Sequence, residues 1–448
     1  MNGFVRFSRF ILAGVILCCP QIFAQVVPFY SPAVAENVDY HSFAPIMLLR
    51  HQITQPFRKL PKNPILQPGN FGWDSEDVAD PFIVQTADSL VLFYSGNGKK
   101  DEKYHIGYAV RDGRGWFWKK RHKIISGSGG EWDSFHQVAP VVLSPLLSSG
   151  GEWRVYYSGN SLDSEFGYQW GLAFLNRNRE WEYLNETPLI SLNSDNWDYA
   201  GQIYGDIIYF PEQKIYKMWY SGFEGPMSSL GLMESADGLI WQHHDQPIIS
   251  RLPGVIAPDV IFNGRGYTMY FVQVELAAPK MFTKIFSAES GDGIHWQNFK
   301  EVLRPSVKWE KNVLMRPNLS YFEGRAFLYY CGGNGSWRIG AAYALPDFEN
   351  EGRWQSKIIQ QKATKITIKY EQPMQTDLQV ALVDPTSRAK LALDLAANSQ
   401  PLRGKIQKAV IDMPPTFETG NFQIECVFST KDIHHSPVVY EISLESGN

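Results

Sequence analysis

The sequence predicts an all-β chain: a five-bladed β-propeller followed by a small C-terminal β-sandwich. Three observations carry that expectation. Trp73-Asp74, Trp132-Asp133, Trp197-Asp198 and Trp309-Glu310 recur at intervals of about sixty residues, with a double interval before the last pair. Tyr94-Ser95-Gly96, Tyr157-Ser158-Gly159, Tyr220-Ser221-Gly222, Tyr270-Phe271-Val272 and Tyr330-Cys331-Gly332 each end a short apolar run. A Trp follows the next turn in each unit, at Trp118, Trp181, Trp241, Trp296 and Trp354. Each unit reads as four extended runs separated by turn residues, with almost no helical periodicity. The Asp-Gly pairs in Ser235-Ala236-Asp237-Gly238 and Ser290-Gly291-Asp292-Gly293 supply tight turns and read as structural.

The chain divides into a signal peptide (1–24), a lead-in segment (25–62), the propeller (63–355) and the sandwich (356–448). Arg6 and Arg9 precede an apolar run from Phe10 to Cys19, and Ile22-Phe23-Ala24 offers a cleavage site. The run is too short to favour a spanning helix, so a secreted or periplasmic protein without membrane insertion is expected. After residue 356, alternation such as Ile366, Ile368, Tyr370 and Leu378, Val380, Leu382 reads as antiparallel sheet with one wet face. Cys331 and Cys426, the cysteines left after cleavage, read as buried thiols. The net charge of −4 with 20% charged residues gives no basic stripe for nucleic acid. Aromatics at 14% suit β-structure and sugar contact.

Ligands of a propeller bind at one mouth of the channel that the first strands line. Blades one, three and four bring Asp80, Asp206 and Asp259 to those strands; blade five brings Arg316 and Asn318. Aligned on their opening residues, the strands place Asp80 before the Pro position, Asp206 on it and Asp259 after it. With that stagger the three point alike only if a bulge intervenes. Buried carboxylates are costly unless paired, protonated or used, and two of them across a sugar can serve as acid and base. Trp73, His136, Trp170, Arg316 and Asn318 are candidates to grip a sugar, although Trp73 also serves as a repeat marker. No compact metal-ligand motif occurs and no cofactor is expected; a channel ion such as calcium would have to be assembled from separate blades.

Residues 63 to 350 resemble the five-bladed furanosidase-like glycoside hydrolases, the clan that includes families 43 and 32. The likeness rests on Ala79-Asp80-Pro81-Phe82-Ile83, the blade count and the Tyr-Ser-Gly and Ser-Ala-Asp-Gly hairpins. It implies a glycosidase acting on a furanoside or pentoside in an oligo- or polysaccharide, with Asp80 as base and Asp206 as tuner. The family's acid is a Glu-Gly-Pro at the start of blade four, where this chain reads Ile256-Ala257-Pro258-Asp259. Its Glu-Gly-Pro is Glu224-Gly225-Pro226, after the second strand of blade three, so Glu224 and Asp259 compete as acid. A non-catalytic glycan-binding propeller and a glycoside phosphorylase are the rival readings. The sequence leaves sugar, linkage and oligomeric state open.

Overall fold

The computed structural model describes residues 24–446, apart from 28, 30–31, 41–45, 86–89, 101, 112–117, 163–165, 278–279, 323, 334, 404 and 419. The predicted signal peptide lies almost wholly outside the described residues. Among the described residues the chain is all-β, with one short α-helix at Leu395–Asn398 and two single-turn 3-10 segments. Among the described residues no helix is long and apolar enough to cross a membrane.

Five antiparallel four-stranded units fill the middle of the chain. Their first strands are Asp77–Gln85, His136–Leu143, Gly201–Phe210, Gly254–Phe262 and Leu314–Phe322. These strands touch in cyclic order, one to two through five and back to one. Units three and four also share one parallel bridge, Ser228 to Gly254. In unit five the fourth strand is Arg58–Lys59, which pairs with Arg338–Ala344. The lead-in thus closes the ring. Trp354, read from sequence as the fifth outer-strand marker, lies instead in Glu351–Ser356 and pairs with Gln423–Thr430.

The repeated motifs form one packing device. Trp73, Trp132, Trp197 and Trp309 stack on Tyr94, Tyr157, Tyr220 and Tyr330 at 5.3–6.0 Å between ring centroids. The acid after each Trp accepts that tyrosine's hydroxyl: Asp74, Asp133, Asp198 and Glu310, at 2.7–2.8 Å. Two glycines per unit leave room for the indole. A Cβ at Gly159 would lie 2.4 Å from Trp132, and one at Gly171 2.7 Å from it. The motif is therefore a structural staple that neutralises a buried hydroxyl while covering a sheet with a large apolar ring.

Two further sheets combine both ends of the chain. One holds Val38–Tyr40, Met47–Leu49, Val438–Glu445, Lys365–Glu371, Ile406–Asp412 and Ser399–Arg403, with Ala24–Val26 on Val438–Glu445. The other holds Pro32–Glu36, Glu351–Ser356, Gln423–Thr430, Thr376–Val383 and Lys390–Leu393. Their inward residues, among them Ile366, Ile368, Leu378, Val380, Ile424 and Ile442, share one core that continues into units four and five. Cys426 lies in this core and Cys331 in unit five; both are buried, free thiols.

Candidate functional site

Every first strand carries a bulge at one equivalent place. The bulged residues are Asp80, Ala139, Tyr204, Ala257 and Arg316, with φ between 49° and 58°. None is β-branched, as the left-handed region requires. Because all five units share it, this conformation belongs to the fold. The next residue is Pro81, Pro140, Gly205, Pro258 or Pro317. Glycine replaces proline in unit three because a Cβ there would meet Trp170 at 2.9 Å.

This geometry corrects the sequence register. Gly205, not Asp206, stands at the proline position, so Asp206, Asp259 and Asn318 are equivalent and Asp80 lies two residues earlier. The equivalence extends to their bonds. Asp206 Oδ2 accepts the Val260 amide at 2.8 Å, and Asp259 Oδ2 accepts the Leu319 amide at 2.8 Å. Asn318 Oδ1 accepts the Ile83 amide at 2.7 Å. Each side chain clips its unit to the next. Asp206 Oδ1 also accepts its neighbour Ile207's amide, and Asp259 Oδ1 accepts Asn318 Nδ2 at 2.7 Å. An asparagine doing the same work shows that the position needs an acceptor, not a charge.

Asp80 is placed differently. It is buried, its Oδ2 accepts the Ala139 amide at 3.3 Å, and the Ser95 hydroxyl lies beside it. Burial raises its pKa, while Ser95, Arg316 and the Ala139 amide pull it back. Tyr204 and Arg316 occupy the same bulge position in units three and five. Sequence reasoning missed Tyr204 and Ser95; aligning on Pro81 and Gly205 would have put Tyr204 beside Asp80.

Arg316 is fully buried. Its Nη1 donates to Pro258 O at 3.3 Å and its Nη2 to Pro140 O at 3.2 Å. Its guanidinium lies 5.9 Å from the centre of the Phe82 ring. Its two Nη groups are thus committed to main-chain carbonyls of units two and four. Burial raises Asp206 to about 6, opposed by the Val260 amide and Arg316. Asp259 is driven well above the usual carboxylate range by burial and then by repulsion from Asp206.

The remaining predicted residues separate clearly. Trp170 is fully buried against Gly205 and offers no face to a sugar. One face of Trp73 is taken by Tyr94, and its edge packs over Gly96 and Gly107. Trp170 is thereby corrected from sugar-gripping to packing, while the half-buried Trp73 serves packing through that face and edge. Asn318 is likewise an inter-unit clip. His136 is buried, and its Nδ1 accepts the Tyr104 amide at 3.2 Å. Glu224 is exposed at the end of Ile215–Glu224, where the first strand of unit three begins.

A wall of aromatic rings connects these places. Val138, Ala139, Tyr168 and Ile203 form a cluster against which Tyr104, Tyr204 and Phe223 pack. Phe223 meets Phe166 edge-on at 5.8 Å. Phe166 and Tyr199 are exposed on loops of units two and three, and Met227 is exposed at the start of the strand Met227–Ser235. The cluster joins Ala139, whose amide bonds Asp80, to Phe223, the residue before Glu224 in sequence.

Replacing Asp206 with Asn separates its two possible roles. A carboxyl raised from 3.8 to about 6 favours folding fully below its unfolded pKa, and that contribution is lost as pH rises through about 6. Asp206→Asn keeps the acceptor for Val260, gives up the one for its neighbour Ile207, and removes this dependence. Urea unfolding near neutral pH should show stability equal to or above the parent, with a flatter pH profile between about 4 and 7. Marked destabilisation at all pH values would mean that the charge itself holds the units together.

No protein-family model matches the chain, and no curated protein sequence matches it. Solved structures do share its fold. One is a complex of BT0996 with RGII, with TM-score 0.53, 17% identity, and 64% of this chain and 92% of that one covered. A second comes from work on the GH130 family of mannoside phosphorylases, said to contain glycoside hydrolases that target β-1,2 mannosidic linkages in Candida mannan. It has TM-score 0.51 and 16% identity, covering 64% and 93%. A glycosyl hydrolase from Bacteroides ovatus has TM-score 0.50 and 15% identity, covering 64% and 92%. Identities this low establish a common fold and leave the chemistry to the site.

Proposed function

We propose that this protein is an exported glycoside hydrolase, a five-bladed propeller with a C-terminal β-sandwich, cleaving a furanoside- or pentoside-type bond in an oligo- or polysaccharide. One observation carries the reading: the buried Asp80 bonds the amide of Ala139, which belongs to an apolar and aromatic cluster that reaches Phe223, the residue before the exposed Glu224. Aromatic faces stack on sugar rings, and two carboxyls flanking such a surface can divide acid and base duties. Asp80 activates water, or attacks the sugar directly if configuration is retained. Glu224 protonates the leaving oxygen. Asp259 is less suited to that task, because both its oxygens accept bonds inside the ring. Asp206 tunes the field that Asp80 shares through Arg316. The glycosidases among the structures of this fold support the class.

A non-catalytic glycan-binding protein is the second reading. What favours it is the use of Asp206 and Asp259 as clips, as Asn318 is used. Turnover of a panel of aryl glycosides and polysaccharides, without added phosphate, decides between them. Glu224→Gln should then slow substrates with poor leaving groups by roughly 10²–10⁴-fold and spare activated aryl glycosides. Equal loss on both substrate types would remove Glu224 as the acid.

A further inference from the structure

A cavity of about 910 Å³ lies in the wedge between units four and five, beside the lead-in segment 51–57. It exists because a filler is missing. Between units two and three, Tyr156 donates its hydroxyl to Gly238 O at 3.0 Å; between three and four, Trp219 Nε1 donates to Gly293 O at 2.8 Å. In both cases the Ser-x-Asp-Gly turn of one unit plugs the wedge beside its neighbour. Unit five has no such turn; Asp347–Phe348 pairs with His51–Gln52 instead. The wall of unit four changes to match. Where unit three carries the fully buried Trp219 and Leu232, unit four carries Tyr270 and the half-buried Ser287.

The lining mixes apolar and aromatic side chains, such as Ile53, Phe57 and Tyr267, with polar ones, and its charges balance. Gln52, Gln55, Thr268 and Ser287 bring amide and hydroxyl groups to it. Three acids (Asp39, Glu289, Glu301) face three bases (Arg50, Arg265, Lys300). Arg265 Nη2 donates to the buried Asp39 Oδ1 at 2.7 Å, and Asp39 Oδ2 accepts the His51 amide at 3.1 Å, so the segment is anchored. His51 in turn bonds the Tyr321 hydroxyl. Gln52, Thr54, Asn298 and Lys300 are exposed at the rim. The volume is at the upper end of ligand pockets, roughly 300–1,000 Å³. Hydroxyl and amide groups set among aromatic and aliphatic faces, without excess charge, suit a neutral, multiply hydroxylated molecule such as a sugar, which offers both hydroxyls and apolar ring faces.

We propose that this wedge is a second ligand site, taking a neutral oligosaccharide of a few sugar rings, separate from the Asp80 mouth. The test is hydrogen exchange on the whole protein with xylotriose, arabinotriose, mannotriose and cellotriose, each at millimolar concentration. At least one should slow exchange in residues 51–57 and in the strands carrying Thr268 and Ser287. Ser287→Leu restores the residue of unit three, removes a hydroxyl from the wall and pushes an apolar side chain into the cavity. It should abolish that protection and weaken binding there about tenfold or more, leaving turnover at Asp80 unchanged. Thr268→Val removes a hydroxyl at nearly constant volume and reads the same loss should Ser287→Leu fold poorly. Protection confined to the mouth, no protection of 51–57 by any of the four sugars, or wild-type binding in both variants overturns the assignment. The Asp80 reading survives each of these results, because it is measured by turnover.

Discussion

Asp80→Asn is expected to lower glycoside turnover by roughly 10³-fold while leaving glycan affinity near the parent value. The substitution retains an oxygen to accept the Ala139 amide and changes little in volume, so the bulge and the unit one–unit two contact survive. It removes the charge that would deprotonate water or attack carbon. Turnover is followed with the best substrate of the glycoside panel, and affinity by calorimetry with its oligosaccharide. The thermal midpoint reports whether the ring remains intact. Undiminished turnover in a folded variant would remove Asp80 from the chemistry. Loss of affinity alongside turnover would make Asp80 a binding group instead. Asp206→Asn is the internal comparison, since that acid is already committed to a clip that an amide can make.

The pH dependence follows from the same environment. Asp80 must be ionised to act as base, and burial raises its pKa above the ordinary carboxylate range. The acid limb of turnover against pH should therefore lie above that of an exposed aspartate. Arg316 opposes this shift, so the buried cation and the base are electrostatically linked.

How much of this was readable beforehand differs by feature. The Trp-Asp and Tyr-Ser-Gly marks were legible because each links residues close in sequence, such as Asp74 with Tyr94, and recurs where the same packing recurs. The strand closing unit five was not. Arg58–Lys59 spans two residues, too few for any periodicity, and its partner Arg338–Ala344 is remote in sequence. The acid register was misread for a local reason: Gly205 takes a proline's place only because Trp170, from unit two, occupies the space above it. Trp170 itself looked like a sugar platform, since sequence cannot distinguish a ring facing solvent from one facing a neighbouring unit. The Asp80 bulge was visible as Asp-Pro, but its equivalence with Tyr204 and Arg316 appears only in the backbone angles.

Arg316→Leu should destabilise the protein by about 3–5 kcal/mol, the usual consequence of breaking a buried charge network from one side. Arg316 belongs to unit five, donates to carbonyls of units four and two, and lies over Phe82 of unit one. Leucine would leave Pro258 O and Pro140 O without these donors in a dry interior and remove the cation that steadies Asp80, Asp206 and Asp259. Those acids would then rise further above their unfolded pKa values. Their ionisation would oppose folding more strongly as pH increases, so the deficit should be largest at about pH 8 and smaller at about pH 5. Urea unfolding at both values measures it. Arg316→Lys should recover only part of the loss, because one ammonium on a flexible stem cannot reproduce a planar fork spanning two carbonyls of different units. If Arg316→Leu matched the parent at both pH values, hydrophobic filling alone would suffice at the centre, and the electrostatic link between Arg316 and Asp80 would fall with it.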